Sequence, residues 1–105
     1  MTSGPEPVGT LDVALAHAEK LLVSQPGLAA EQAREILGAV PNHPAATLLL
    51  AMARRRSNDF AEALRILEPL AASQPRWAAA QRELGLALGD AGRGEEAVAA
   101  LRTAV

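Results

Sequence analysis

The chain has 105 residues, half of them apolar and only 2% aromatic, with no cysteine. This is enough for one domain whose core must be alanine and leucine, which suits close-packed helices better than sheet. It excludes disulfides, thiol catalysis and cysteine-ligated zinc. Ten Lys and Arg stand against twelve Asp and Glu, a net charge of −2. That balance points to neither nucleic acid nor an anionic membrane as partner.

Residues 1–9, with Gly4, Pro5, Pro7 and Gly9, predict a disordered tail. They hold no basic region followed by an apolar run, so no secretory signal is expected. Nor does any stretch approach the roughly eighteen consecutive apolar residues of a membrane span. A soluble, cytoplasmic protein is the expectation. Leu11, Leu15, Ala18 and Leu22 lie on one helical stripe. Pro26 and Gly27 interrupt it, and Ala29, Ala33, Ile36, Leu37 and Val40 form the next stripe. The segment PNHP (41–44) breaks the chain. From Ala45 to Met52 the residues are almost all apolar, which predicts a helix buried on most sides. Arg54, Arg55 and Arg56 fall in its last turn, where the helix dipole favours cations.

Asp59 followed by Glu62 has capping-box spacing. Phe60, Ala63, Leu64, Leu67 and Leu70 make the inner face of the fourth helix, and Pro75 ends that segment. Residues 76–91 place Leu84 and Leu88 on one stripe, with Ala80, Ala87 and Ala91 beside it. After GDAGRG (89–94), the sixth helix starts near Glu95 and turns Ala97, Leu101 and Ala104 to one side. No segment reads better as a strand.

A shift of 34 positions brings the chain onto itself. Pro41 lands on Pro75, Ala45 on Ala79, Ala46 on Ala80, Leu50 on Leu84, Ala53 on Ala87, Glu62 on Glu96, Ala63 on Ala97 and Leu67 on Leu101. Ala51 with Gly85, Met52 with Leu86 and Leu64 with Val98 are conservative matches. A 34-residue helix–turn–helix unit with the pair Leu84-Gly85, then Ala97, Leu101 and a closing Pro75, resembles the tetratricopeptide repeat. The resemblance implies an all-α superhelix of stacked antiparallel hairpins, about six helices in all. One domain would span 10–105: a degenerate capping hairpin at 10–40 and repeats at 44–75 and 76–105. Leu50, Ala51, Ala63, Leu67, Pro75, Leu84, Gly85, Ala97 and Leu101 are its expected packing residues. Small side chains at Ala51, Gly85, Ala63 and Ala97 would let helix backbones approach. The chain departs from the family where the pattern wants Trp and Tyr. Thr47 and Arg54 stand there in one copy, Gln81 and Leu88 in the other. In the first hairpin either Ala29 or Ala33 can be the counterpart of Ala63.

The repeat explains GDAGRG. The segment at the same place one unit earlier, RRSNDF, has no glycine. What both share is turn-forming residues. A phosphate loop needs a preceding strand and a Lys-Ser or Lys-Thr pair, and neither is here. His17 and His43 sit on separate hairpins without ligand spacing, so no metal, cofactor or catalytic residue is expected. Glu95 and Glu96 read as anions at a helix start. Arg54–Arg56 read as a solvated helix end or as a site for phosphate or acidic peptide, and Trp77 as a staple between hairpins or an anchor for a partner.

What remains is surface shape. In stacked hairpins the first helix of each lines the concave side. On the repeat frame that surface holds Leu48, Met52, Arg55, Arg56, Ala79, Arg82 and Leu86. An apolar floor with arginines near it suits a peptide or helix with acidic flanks. Some tetratricopeptide domains grip a C-terminal carboxylate with Lys and Asn; Met52 and Leu86 occupy comparable places here and speak against that clamp. The expectation is a non-enzymatic protein-interaction scaffold. Val98, Leu101, Ala104 and Val105 leave an apolar strip at the end. The strip implies either an excerpt from a longer protein, the preferred alternative, or a homodimer through the exposed C-terminal helix. The run from AAEQAREILGAVPNHP to EEAVAALRTAV also resembles the N-terminal repeats of bacterial tetratricopeptide–sulfotransferase fusions. That likeness implies a regulatory or oligomerising segment whose catalytic domain lies elsewhere.

Overall fold

The computed structural model describes residues 7–93, 96, 99 and 101–103, with side chains from Leu11 onward. Five complete helices follow in chain order: α1 (Pro7–Ser24), α2 (Pro26–Ala39), α3 (Pro44–Arg56), α4 (Phe60–Ser73) and α5 (Ala78–Asp90). Residues 96, 99 and 101–103 are helical and belong to a sixth, α6. No described residue lies in a strand. The expected tail is shorter than the sequence suggested, because α1 already includes Pro7, Val8 and Gly9. Proline at a first helical position forfeits no hydrogen bond, so it starts a helix rather than preventing one. The remainder of that tail, residues 1–6, lies outside the described residues.

The repeat is visible in helix limits, burial and hydrogen bonds alike. Helices α2 and α4 have the same length and start 34 positions apart, as do α3 and α5. Under that shift, buried Ala29, Ala30, Ala33 and Ile36 become buried Ala63, Leu64, Leu67 and Leu70. The counterpart of Ala63 is therefore Ala29. After α3, the Asn58 N–H donates to the Arg55 carbonyl (3.0 Å) and the Asp59 N–H to that of Arg54 (2.8 Å). One unit later, the Gly92 N–H donates to Gly89 (3.1 Å) and the Arg93 N–H to Leu88 (2.8 Å). Asn58 (φ 66°) and Gly92 (φ 83°) supply the left-handed residue that this helix ending requires. Among the described glycines of GDAGRG, Gly92 takes the left-handed position, and asparagine substitutes for it one repeat earlier. Thermal melts are expected to show Gly92→Ala and Asn58→Ala each losing about 1 kcal/mol, with Asn58→Gly close to neutral.

The first hairpin turns differently. A single residue, Gln25, separates α1 from α2, and α1 runs to Ser24. Its core stripe is Ala18 and Leu22, supported by half-buried Leu15 and Leu21, while His17 and Lys20 face solvent. At the start of α4, the Glu62 N–H donates to the Asp59 carboxylate at 3.3 Å. The return half of the expected capping box is not made. The Asp59 N–H is already used by the Arg54 carbonyl, and the Glu62 carboxylate turns to Arg65 at 2.7 Å.

Two apolar clusters form the core. Ala18 and Leu22 of α1, Ala29, Ala30 and Ala33 of α2, and Leu49 and Ala53 of α3 make one. Leu48 and Ala51 of α3, Ala63, Leu64, Leu67 and Leu70 of α4, and Ala80, Ala87 and Leu88 of α5 make the other. Met52 packs against both. As the unbroken apolar run predicted, α3 is buried on opposite sides.

Consecutive helices pack together throughout α1–α5. Among odd-numbered helices, α1 also touches α3 and α3 touches α5, whereas α2 and α4 do not approach each other. The odd-numbered helices therefore form one closer-set, inner layer of the stack. Its extents of 55 × 27 × 20 Å are those of a short rod.

Candidate functional site: the inner helical face

On α3, Met52 is half-buried and Arg56 exposed. On α5, Ala79 is half-buried and Arg82 and Leu86 are exposed, the last retaining 38% of its accessible surface. Leu86 sits where Met52 does one repeat earlier, so the two mark a shallow apolar strip along the inner layer. Neither Arg56 nor Arg82 takes part in an ion pair among the described residues.

Two residues expected on that surface have other work. Leu48 is in the core because residues of α4 and α5 join it in one apolar cluster, whereas Arg82, its counterpart one repeat later, is exposed. Arg55 is held inside the stack. Its Nε donates to Glu83 Oε1 at 3.0 Å and its Nη1 to Asp90 Oδ2 at 3.3 Å. The Glu83 side chain is only 8% exposed and that of Arg55 17%. A carboxylate so enclosed is costly without a cation, and Arg55 supplies one from the neighbouring repeat. This cross-repeat pair escaped the sequence reading. Its only trace is Glu83 standing where the preceding repeat has the core residue Leu49. Arg54 is half-buried too, its Nε enclosed with no hydrogen-bond partner among the described residues. Of the three consecutive arginines, only Arg56 is exposed.

The packing residues fall as follows. Ala51, Ala63, Leu67 and Gly85 are buried, and Leu50 and Leu84 half-buried. Pro75 is exposed in the α4–α5 turn, since the helix has already ended at Ser73. Leu101 is exposed, unlike its counterpart Leu67. Leu67 is covered by a following hairpin through α5, and within residues 1–105 no hairpin follows α6. The Ala97 side chain lies outside the described residues.

The tetratricopeptide repeat family model matches residues 21–84, more than half of the chain. This chain is a tetratricopeptide repeat protein. No curated protein matches it. Within the tetratricopeptide frame, the missing aromatic residues have specific replacements. Thr47 bonds through its hydroxyl to the His43 carbonyl at 2.8 Å. Gln81, buried, donates from Nε2 to the Ala71 carbonyl at 3.1 Å and to that of Pro75 at 3.4 Å, tying α5 to the end of α4. A polar tether thus stands where the repeat pattern wants a large ring. His43 is half-buried rather than solvated. Its Nδ1 accepts the Ala46 N–H at 3.2 Å and caps α3. Trp77 precedes α5 and packs against the α3–α4–α5 cluster, the stapling role of its two expected ones.

At the far end of the stack, Arg93 bridges Glu68 of α4 and Glu96 of α6 at 3.3 and 2.6 Å. Hydrogen bonding to Arg93 holds the Glu96 carboxyl below the ordinary glutamate range and raises the guanidinium in return. A depressed carboxyl contributes while ionised and is lost as pH falls through its folded-state value. Carbon-detected titration is expected to place the Glu96 midpoint below the ordinary glutamate value, and Arg93→Ala to return it there. Both groups are in water, so global stability should change little.

Proposed function

We propose that this tetratricopeptide scaffold receives an apolar segment with acidic flanks on its inner face and has no chemistry of its own. The observation that carries the reading is Leu86, exposed on α5 at the place that Met52 holds on α3, with exposed Arg82 and Arg56 making no ion pair among the described residues. An apolar contact would supply affinity, and the arginines would select flanking carboxylates and set orientation. Arg55 is withdrawn from this role because Glu83 and Asp90 already engage it. Peptide-array binding tests the proposal with Met52→Glu, Leu86→Glu and Arg82→Glu. Each is expected to lose the acidic-flanked ligands at least tenfold; intact binding by all three would rule out this face. Leu48→Glu is not a usable probe, since it would place a charge in the core.

A second reading rests on Leu101. Its exposure on α6 favours pairing of two copies through that helix, the oligomerising role that the sulfotransferase-fusion resemblance implies for these repeats. Light scattering over a concentration series should then show dimers that Leu101→Lys dissolves. A strict monomer at millimolar concentration would exclude it. The sequence encoded after Val105 tests the fusion itself.

A further inference from the structure

The loop edge of the stack carries a second surface, apart from the inner face. A trough of about 690 Å³ runs between the start of α3 and the α4–α5 turn, lined by His43, Pro44, Pro75, Arg76 and Trp77 among others. It continues along the end of α4, past Pro69, into a further 360 Å³ hollow that shares Pro44 with the first. Met52 and Leu86 lie eight residues further along α3 and α5, about 12 Å from this edge.

The trough has a consistent charge character. No aspartate or glutamate lines either part of it, in a chain with more acids than bases. Arg76 is exposed at its rim and makes no ion pair among the described residues. The first turns of α3 and α5, which open beside it, contain no acidic residue. Its lining includes three prolines and the half-buried indole of Trp77, groups that lose little freedom on meeting a ligand, beside polar His43, Ser73 and Gln74. Apolar, rigid and locally positive, such a surface complements an extended chain bearing carboxylates.

The geometry points to this edge as a docking site for a short, extended acidic peptide, its apolar residue lying against Trp77 and a carboxylate meeting Arg76. Trp77 is the only tryptophan in the chain, so its fluorescence reports this site directly. The test titrates the protein with the acetylated, amidated peptide EDLPED and, separately, with KKLPKK. Expected is a shift in Trp77 emission with EDLPED only, weakening as salt rises. Arg76→Glu should reduce affinity at least fivefold and Arg76→Ala by less. Arg82→Glu, on α5 but outside the lining of the trough, should leave it unchanged. Both substituted arginines are exposed, and far-UV circular dichroism verifies the fold of each variant. The proposal is overturned by an unchanged emission up to millimolar EDLPED or an equal response to KKLPKK. Loss of binding in Arg82→Glu with none in Arg76→Glu would also overturn it, by moving the peptide to the inner layer.

Discussion

Leu67→Ala is expected to lower stability by about 3 kcal/mol, the middle range for emptying a closed leucine site. Leu67 has no accessible surface and is the largest fully buried side chain described. It lies in the cluster formed by α3, α4 and α5, so the cavity would open between two hairpins at once. In a chain of this size that corresponds to a fall in Tm of roughly 12 °C or more. Leu86→Ala, on the inner face, removes the same atoms from a site already open to water. It should change stability by less than about 0.5 kcal/mol. Denaturation curves of the two variants, followed by helical circular dichroism, make the comparison. Similar losses in both would mean that α4 is not enclosed between α3 and α5.

Arg55→Ala is expected to cost about 2–3 kcal/mol, more than a surface ion pair would, because it strands the enclosed Glu83 carboxylate. Part of the charge remains within reach of water, which keeps the effect below that of a fully buried pair. Glu83→Leu copies the residue that occupies this place one repeat earlier, Leu49. Arg55→Ala combined with Glu83→Leu should recover most of the lost stability, since neither charge is then left without a partner. The four denaturation curves form a cycle whose coupling should exceed 1 kcal/mol. Additive losses would show that the two side chains stabilise the stack independently. The pair also bears on binding: it joins the helices that carry Met52 and Leu86, so its loss should weaken inner-face ligands even where neither arginine nor carboxylate touches them.

Much of the architecture is legible from the sequence because it is periodic. A helical stripe repeated at a fixed interval leaves its mark at many positions, and Ala51, Ala63 and Leu67 are buried as that pattern requires. The interval also located the left-handed turn, although the residues filling it differ. The inner face was less legible. Whether a position on the first helix of a hairpin is open or packed depends on a small rotation of that helix and on what covers it, and Leu48 lies on the packed side of that boundary. The engagement of Arg55 was invisible for another reason. A pair 28 positions apart crosses between repeats and follows neither the helical period nor the repeat interval. Pro75 and Leu101 have the expected sequence spacing, but spacing does not specify what lies over a residue.

The position of α3 in both apolar clusters has a mechanical consequence. Among the described residues, the N-terminal and C-terminal hairpins meet only through this helix and the side chains on its two sides. Any stiffening of α5 by a bound partner must reach α1 by way of α3. Opening of α3 would dismantle both clusters together, so its central amides should be the slowest to exchange with solvent, opening only with the whole molecule.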